Sequence, residues 1–130
     1  MAHARILVID DEPDIVDFLT TLFEDNGFQT LSAHNGQEGL DLAGKHRPDL
    51  ITLDITMPGK SGVTVFKELR SDPDLSRVPV FIITGVHEFR QMLYSRSLLP
   101  PEGYMEKPID PDLLIQKVNE ILNRERKKNR

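Results

Sequence analysis

The chain is expected to fold as an α/β protein, a doubly wound five-stranded parallel sheet in the order 2-1-3-4-5 with helices on both faces. Three observations predict this. Five short strand-like runs alternate with five segments of helical periodicity, and each parallel neighbour requires a crossover connection. The runs beginning at Arg5, Pro48 and Val80 are the most apolar, as strands covered on both faces are, so they belong in the middle. The 2-1-3-4-5 order satisfies that requirement and places the switch point between the first and third strands.

The first strand, Arg5–Ile9, ends in Asp10, Asp11 and Glu12. Pro13 suits the opening turn of a helix. Ile15, Phe18, Leu19, Leu22 and Phe23 then recur at helical spacing as one apolar face, closed by Asn26-Gly27. Residues 28–33 form a short alternating strand. Asn35 caps a second helix, with Leu40 and Ala43 inward; Gly36 and Gly39 weaken it by propensity. Residues 48–59, PDLITLDITMPG, read as a buried strand that delivers Asp54 to its carboxyl end and breaks at Met57-Pro58-Gly59.

Ser61 caps a third helix with Val63, Phe66 and Leu69 on one side, stopped by Asp72-Pro73. Residues 80–83 are the most strand-like run and end in Thr84-Gly85. A fourth helix is predicted over 88–97, with Phe89, Met92 and Leu93 inward, and Pro100-Pro101 forbids its continuation. Residues 103–105 are a minimal strand leading into Glu106-Lys107-Pro108. Asp110 caps and Pro111 opens a last helix, with Leu114, Val118, Ile121 and Leu122 facing in.

The 130 residues suffice for one domain, expected over 1–123, with 124–130 a basic tail or the start of a linker. A net charge of −5 argues against direct nucleic-acid binding. No apolar run approaches the roughly 18 residues of a membrane span, and no signal peptide opens the chain. With no cysteine there is no disulfide framework or thiolate site, so a cytoplasmic location is expected. The four histidines show no ligand spacing and are expected at the surface.

That topology collects four strand ends on one edge: Asp10 and Asp11, Asp54, Thr84, and Lys107. Three crowded carboxylates repel one another and raise their pKa values unless a cation joins them. Lys107 supplies one charge; a hard divalent ion supplies the rest, and Mg²⁺ suits a site with few protein ligands. A metal, a lysine and a hydroxyl around one carboxylate are the parts of phosphoryl transfer, with Asp54 as nucleophile. Singly, each residue has a plainer reading: Asp10 and Asp11 as helix-capping acids, Thr84 as a strand residue, Tyr104 as a packed aromatic. Glu12 is expected at the rim without an assigned role.

Taken together, ILVIDDEPD, LDITMPG, FIITG and YMEKP, each at a strand end, resemble the receiver (phosphoacceptor) domain of two-component response regulators. The similarity is to the flavodoxin-like chemotaxis-regulator type and covers residues 5–123. The resemblance implies that Asp54 is the phosphoacceptor. Asp11 and Asp54 would bind Mg²⁺, with Asp10 helping through water and the Thr56 backbone carbonyl as a further ligand. Lys107 and Thr84 would stabilise the phosphoryl group, Thr84 and Tyr104 would switch, and Lys107-Pro108 would be a cis bond. It implies no enzyme acting on other molecules, but a regulator with self-directed phosphotransfer. The donor would be a histidine kinase or phosphotransfer protein. The output would be a downstream protein partner or an output domain absent after Arg130, with room for a phosphorylation-dependent dimer.

Two features depart from that pattern. Gly85 replaces a small residue with a side chain, and SLLPPEG at 97–103 replaces a Gly-Ala-rich lead into the last strand. The competing function is a Mg²⁺-dependent phosphatase or phosphotransferase acting on a separate substrate, which would need a further acid/base group and a substrate cap. A flavin carrier on the same sheet would need a phosphate-cradling loop where Asp10, Asp11 and Glu12 stand.

Overall fold

A computed structural model describes residues 3–85 and 99–128. Its elements are β1 (Arg5–Ile9), α1 (Pro13–Asp25), β2 (Gln29–Ala33), α2 (Gly36–His46), β3 (Leu50–Leu53), α3 (Gly62–Ser71), β4 (Val80–Thr84), β5 (Gly103–Glu106) and α4 (Pro111–Lys128). All strand pairs are parallel, and the order is β2-β1-β3-β4-β5. The predicted fold class and strand order are both observed. The fourth helix expected over 88–97 lies outside the described residues.

Strand side chains alternate between two cores. Leu7, Ile9, Ile51, Leu53, Val80 and Ile82 pack with α2 and α3, whereas Ile6, Val8, Leu50, Phe81 and Ile83 pack with α1 and α4. Residues of β1, β3 and β4 are buried on both faces, which is why those runs are apolar throughout. Thr52 is the polar exception within β3: its buried hydroxyl finds no hydrogen-bond partner among the described residues.

The caps read from sequence are in place. Asn35 Oδ1 accepts from the Glu38 amide at 2.9 Å, Ser61 Oγ from the Thr64 amide at 3.3 Å, and Asp110 Oδ1 from the Leu113 amide at 3.1 Å. The inner face of α1 differs from expectation. Val16, Leu19 and Phe23 are buried, but Phe18 is 43% exposed. At about 100° per residue, Phe18 stands roughly 100° or more from the line through those three, too far round to reach the sheet. On α2, Ala43 is buried but Leu40 only partly; the glycines take the inner positions. A Cβ at Gly39 would run into the Ile9 side chain, so the glycine that weakens α2 by propensity lets it settle on β1.

Arg70, near the end of α3, is the one buried cation among the described core residues. Its guanidinium donates to the carbonyls of Leu99 at 3.0 Å, Val78 at 2.9 Å and Pro100 at 2.8 Å, and to Glu102 Oε1 at 2.7 Å. It also lies 4.9 Å over the Phe66 ring. The same Glu102 oxygen accepts from the Val80 amide at 2.7 Å, so the start of β5 is tied to both α3 and β4. The unusual Leu99-Pro100 segment is the part that Arg70 holds.

At the amino-terminal edge of the sheet, a cleft of about 720 Å³ is lined by His3, Ala4 and the last turns of α4, among others. The acidic strand ends lie on the opposite edge.

Candidate functional site

Asp10, Asp54 and Lys107 each sit one position past a strand and Thr84 at the last residue of one, and the sheet's own ladder holds their backbone. The Asp10 amide donates to the Ala33 carbonyl at 3.1 Å, the Asp54 amide to Ile9 at 3.0 Å, and the Lys107 amide to Thr84 at 2.9 Å. The side chains are therefore presented from fixed main chain. Behind Asp54 the chain turns at Gly59, whose φ is +75°, and re-enters at α3. The Gly62 amide donates to the Ile55 carbonyl at 2.9 Å, and a Cβ on Gly62 would collide with the Asp54 carbonyl oxygen. The opening of α3 thus rests directly on the backbone of Asp54, which only glycine permits.

Around Asp54 the expected groups converge. Asp10 and Asp54 are each only 2% exposed, and Thr84 is fully buried. One carboxylate oxygen from each of Asp10, Asp11 and Asp54 lies within 4.8 Å of the others. Lys107 Nζ donates to Asp10 Oδ2 at 3.0 Å and faces Asp54 Oδ2 at 3.6 Å. The Thr56 amide and hydroxyl lie 3.3 and 3.5 Å from Asp54 Oδ1, and the buried Thr84 side chain is a further neighbour that favours the Asp54 charge. The Lys107-Pro108 peptide bond is cis. Tyr104 stands apart from this group: it pairs with Ile82 in the sheet and packs, half-buried, against the α2–α3 core.

Burial is the main electrostatic fact. It raises the Asp54 pKa above the usual carboxylate value, and the neighbouring Asp10 charge raises it further, against the opposing pull of Lys107, the Thr56 amide and Thr84. Burial raises Asp10 likewise, partly offset by the Glu12 amide and Lys107. For Lys107, burial pulls the ammonium down, but Asp10, Asp54 and Glu12 together outweigh it and its pKa ends up raised. Mutual repulsion of the acids, the effect expected from sequence, comes second to loss of water at Asp54 and is the smallest contribution at Asp10. Three hard oxygen donors this close, two of them nearly dry, fit a Mg²⁺-type cation and would suit a soft metal poorly.

Two contacts are not foreseen from the sequence, one at the site, where Glu12 is expected only at the rim, and one at the far end of β5. Glu12 Oε2 accepts from Lys107 Nζ at 3.1 Å, making it a second carboxylate bonded to the lysine. Its only signal is its place between Asp11 and Pro13, which fixes it at the mouth of α1. Arg70 gives no signal at all, because its partners are backbone carbonyls some 30 residues away in sequence. Val86 and His87 lie outside the described residues. His3 and His34 are exposed and His46 is half-buried, away from the site.

Comparison with known proteins agrees with the fold. The model of the response regulator receiver domain family matches residues 6–119. Protein PilH of Pseudomonas aeruginosa is 34% identical over 119 residues, covering 92% of this chain and 98% of that protein. Sporulation initiation phosphotransferase F of Bacillus subtilis is 32% identical over 122 residues, covering 94% of this chain and 96% of that one. Among solved structures, the Vibrio cholerae chemotaxis protein CheY4 superposes with a TM-score of 0.82 at 26% identity, over 92% of this chain and 98% of its own.

Proposed function

The chain belongs to the response regulator receiver domain family and so to phosphorelay signalling, and on that premise we propose that Asp54 is its phosphoacceptor. The observation that carries the reading is the convergence of Lys107, Thr84 and Thr56 on one buried carboxylate, beside two further acids. Receiver domains exchange phosphoryl groups with histidine kinases or phosphotransfer proteins, and such a donor is the proposed partner.

In the proposed step an Asp54 carboxylate oxygen forms a bond to phosphorus as the bond from phosphorus to the donor's histidine nitrogen breaks. The electron pair of that bond stays with the imidazole, which takes up a proton from solvent. The Lys107 ammonium is placed to meet the charge on the phosphoryl oxygens, and the Thr84 hydroxyl to donate to one of them. Both side chains start from main chain that the sheet edge holds fixed before the reaction. Asp10, Asp11 and Asp54, with the Thr56 backbone carbonyl, are the proposed Mg²⁺ ligands. A bound divalent ion supplies further neutralisation of the phosphoryl charge.

Phosphorylation adds roughly −1.5 to −2 charges and strong hydrogen-bond acceptors. Where Thr84 is drawn to those acceptors, it biases a two-state surface on the side of β4 and β5, with Tyr104 as the proposed reporter of the change. We assign residues 1–123 to this domain; 124–130 form the basic extension, and α4 continues through Lys128.

Acetyl phosphate with Mg²⁺ tests the assignment directly. The parent protein is expected to gain one phosphoryl group by intact mass, and Asp54→Asn to stay at background. Equal incorporation into the variant would place the acceptor elsewhere.

A further inference from the structure

Lys107 has one more anionic partner than the phosphotransfer accounts for. Its ammonium donates to Asp10 at 3.0 Å and Glu12 at 3.1 Å, whereas Asp54 at 3.6 Å lies beyond hydrogen-bond range. Glu12 occupies the N-cap of α1, where a side chain ordinarily accepts from the first turn, yet it makes no such bond. Asp10 Oδ1 takes the Glu12 amide at 2.9 Å, and the Glu12 carboxylate reaches across to the lysine. Glu12 stands outside the trio of acids whose oxygens converge.

These contacts set a direction. Two carboxylate oxygens fix where the ammonium points, and neither belongs to the acceptor. To bond a phosphoryl oxygen on Asp54, Nζ must move toward Asp54 and lengthen its contact with Glu12. We infer that Glu12 is a positioning residue for phosphotransfer, holding Lys107 off Asp54 in the unphosphorylated chain and competing with the phosphoryl group for the ammonium. The inference rests on Asp54 being the phosphoacceptor. The Glu12 side chain is 58% exposed, so the tether is a weak, solvated one, and its removal is worth a factor of about five at most.

The test is a double-variant cycle on the full chain, reading the initial rate of acyl-phosphate formation from acetyl phosphate at saturating Mg²⁺. High salt throughout screens long-range repulsion between Glu12 and the anionic donor. Glu12→Gln is expected to react about two- to fivefold faster than the parent. Glu12→Ala, which lacks the carboxylate in a different way, is expected to show the same gain. In a Lys107→Gln background, Glu12→Gln is expected to change nothing, because the lysine through which it acts is gone. An unchanged or slower rate in both Glu12 variants overturns the inference. So does an equal gain without Lys107, which would mark Glu12 as a plain electrostatic barrier. A parent protein that takes no phosphoryl group at Asp54 overturns the phosphoacceptor assignment and this inference with it, whereas a reactive parent matched by its Glu12 variants overturns this inference alone.

Discussion

Asp54 and Asp10 bind protons more tightly in the folded chain than in the unfolded one, first because burial removes water from their charged forms. A carboxylate whose folded pKa is raised contributes stability at low pH. That contribution is lost as pH climbs from the unfolded value, near 3.8, through the raised folded value. Without metal the burial penalty therefore grows as pH rises above the unfolded value. Asp54→Asn is expected to be more stable than the parent in metal-free solution at pH 7, with the difference closing on acidification toward pH 4. Urea melts at the two pH values check this, and a gap that widened in acid would reverse the assigned sign. At this scale the sequence reveals identity better than environment. Asp10, Asp11, Asp54, Thr84 and Lys107 are legible because each ends a recognisable strand. Glu12's bond to Lys107 and the orphaned hydroxyl of Thr52 are not, since both depend on a side-chain direction that no spacing encodes.

Among the elements, β5 is the one whose position most needs explaining. It has four residues, among the described strands it is an edge strand paired with β4, and it leads directly into the lysine of the site. Its stability comes from its first flank, where Arg70 ties Leu99, Pro100 and Glu102 to α3 and to the loop at Val78. Arg70→Met would leave those carbonyls without their donor and Glu102 without its cation. A loss of about 3–5 kcal/mol is expected, the cost of removing one partner from a buried ion pair. Chemical denaturation measures it, and a loss of about 1 kcal/mol or less would class the contact with surface pairs. Helix caps and strand limits were readable because Asn35, Ser61, Asp110 and the proline breaks act locally. The face of α1 was not, because Phe18 and Val16 fit a helical stripe about equally well and only the sheet's position chooses between them.

The molecule as a whole is a sheet whose middle is dry and whose outer strands are less so. β1, β3 and β4 are buried nearly throughout, while β2 and β5 retain half-exposed positions. Native-state hydrogen exchange is expected to be slowest in β1, β3 and β4, with β2 and β5 exchanging sooner. Protection of β2 equal to that of β3 would contradict this ordering. Parallel strands also sort the chain by direction, sending every strand toward the acidic edge and bringing α4 back. His3 and Ala4 thus share one cleft with Glu125, Arg126 and Lys128, a strand's length of roughly 17 Å from Asp54. A tether, affinity tag or fluorescent reporter joined at either end would grip the molecule from beneath. Fixed to a sensor surface that way, it would hold the Asp54 edge outward, open to a soluble phosphodonor, and the attachment itself would stay clear of the chemistry.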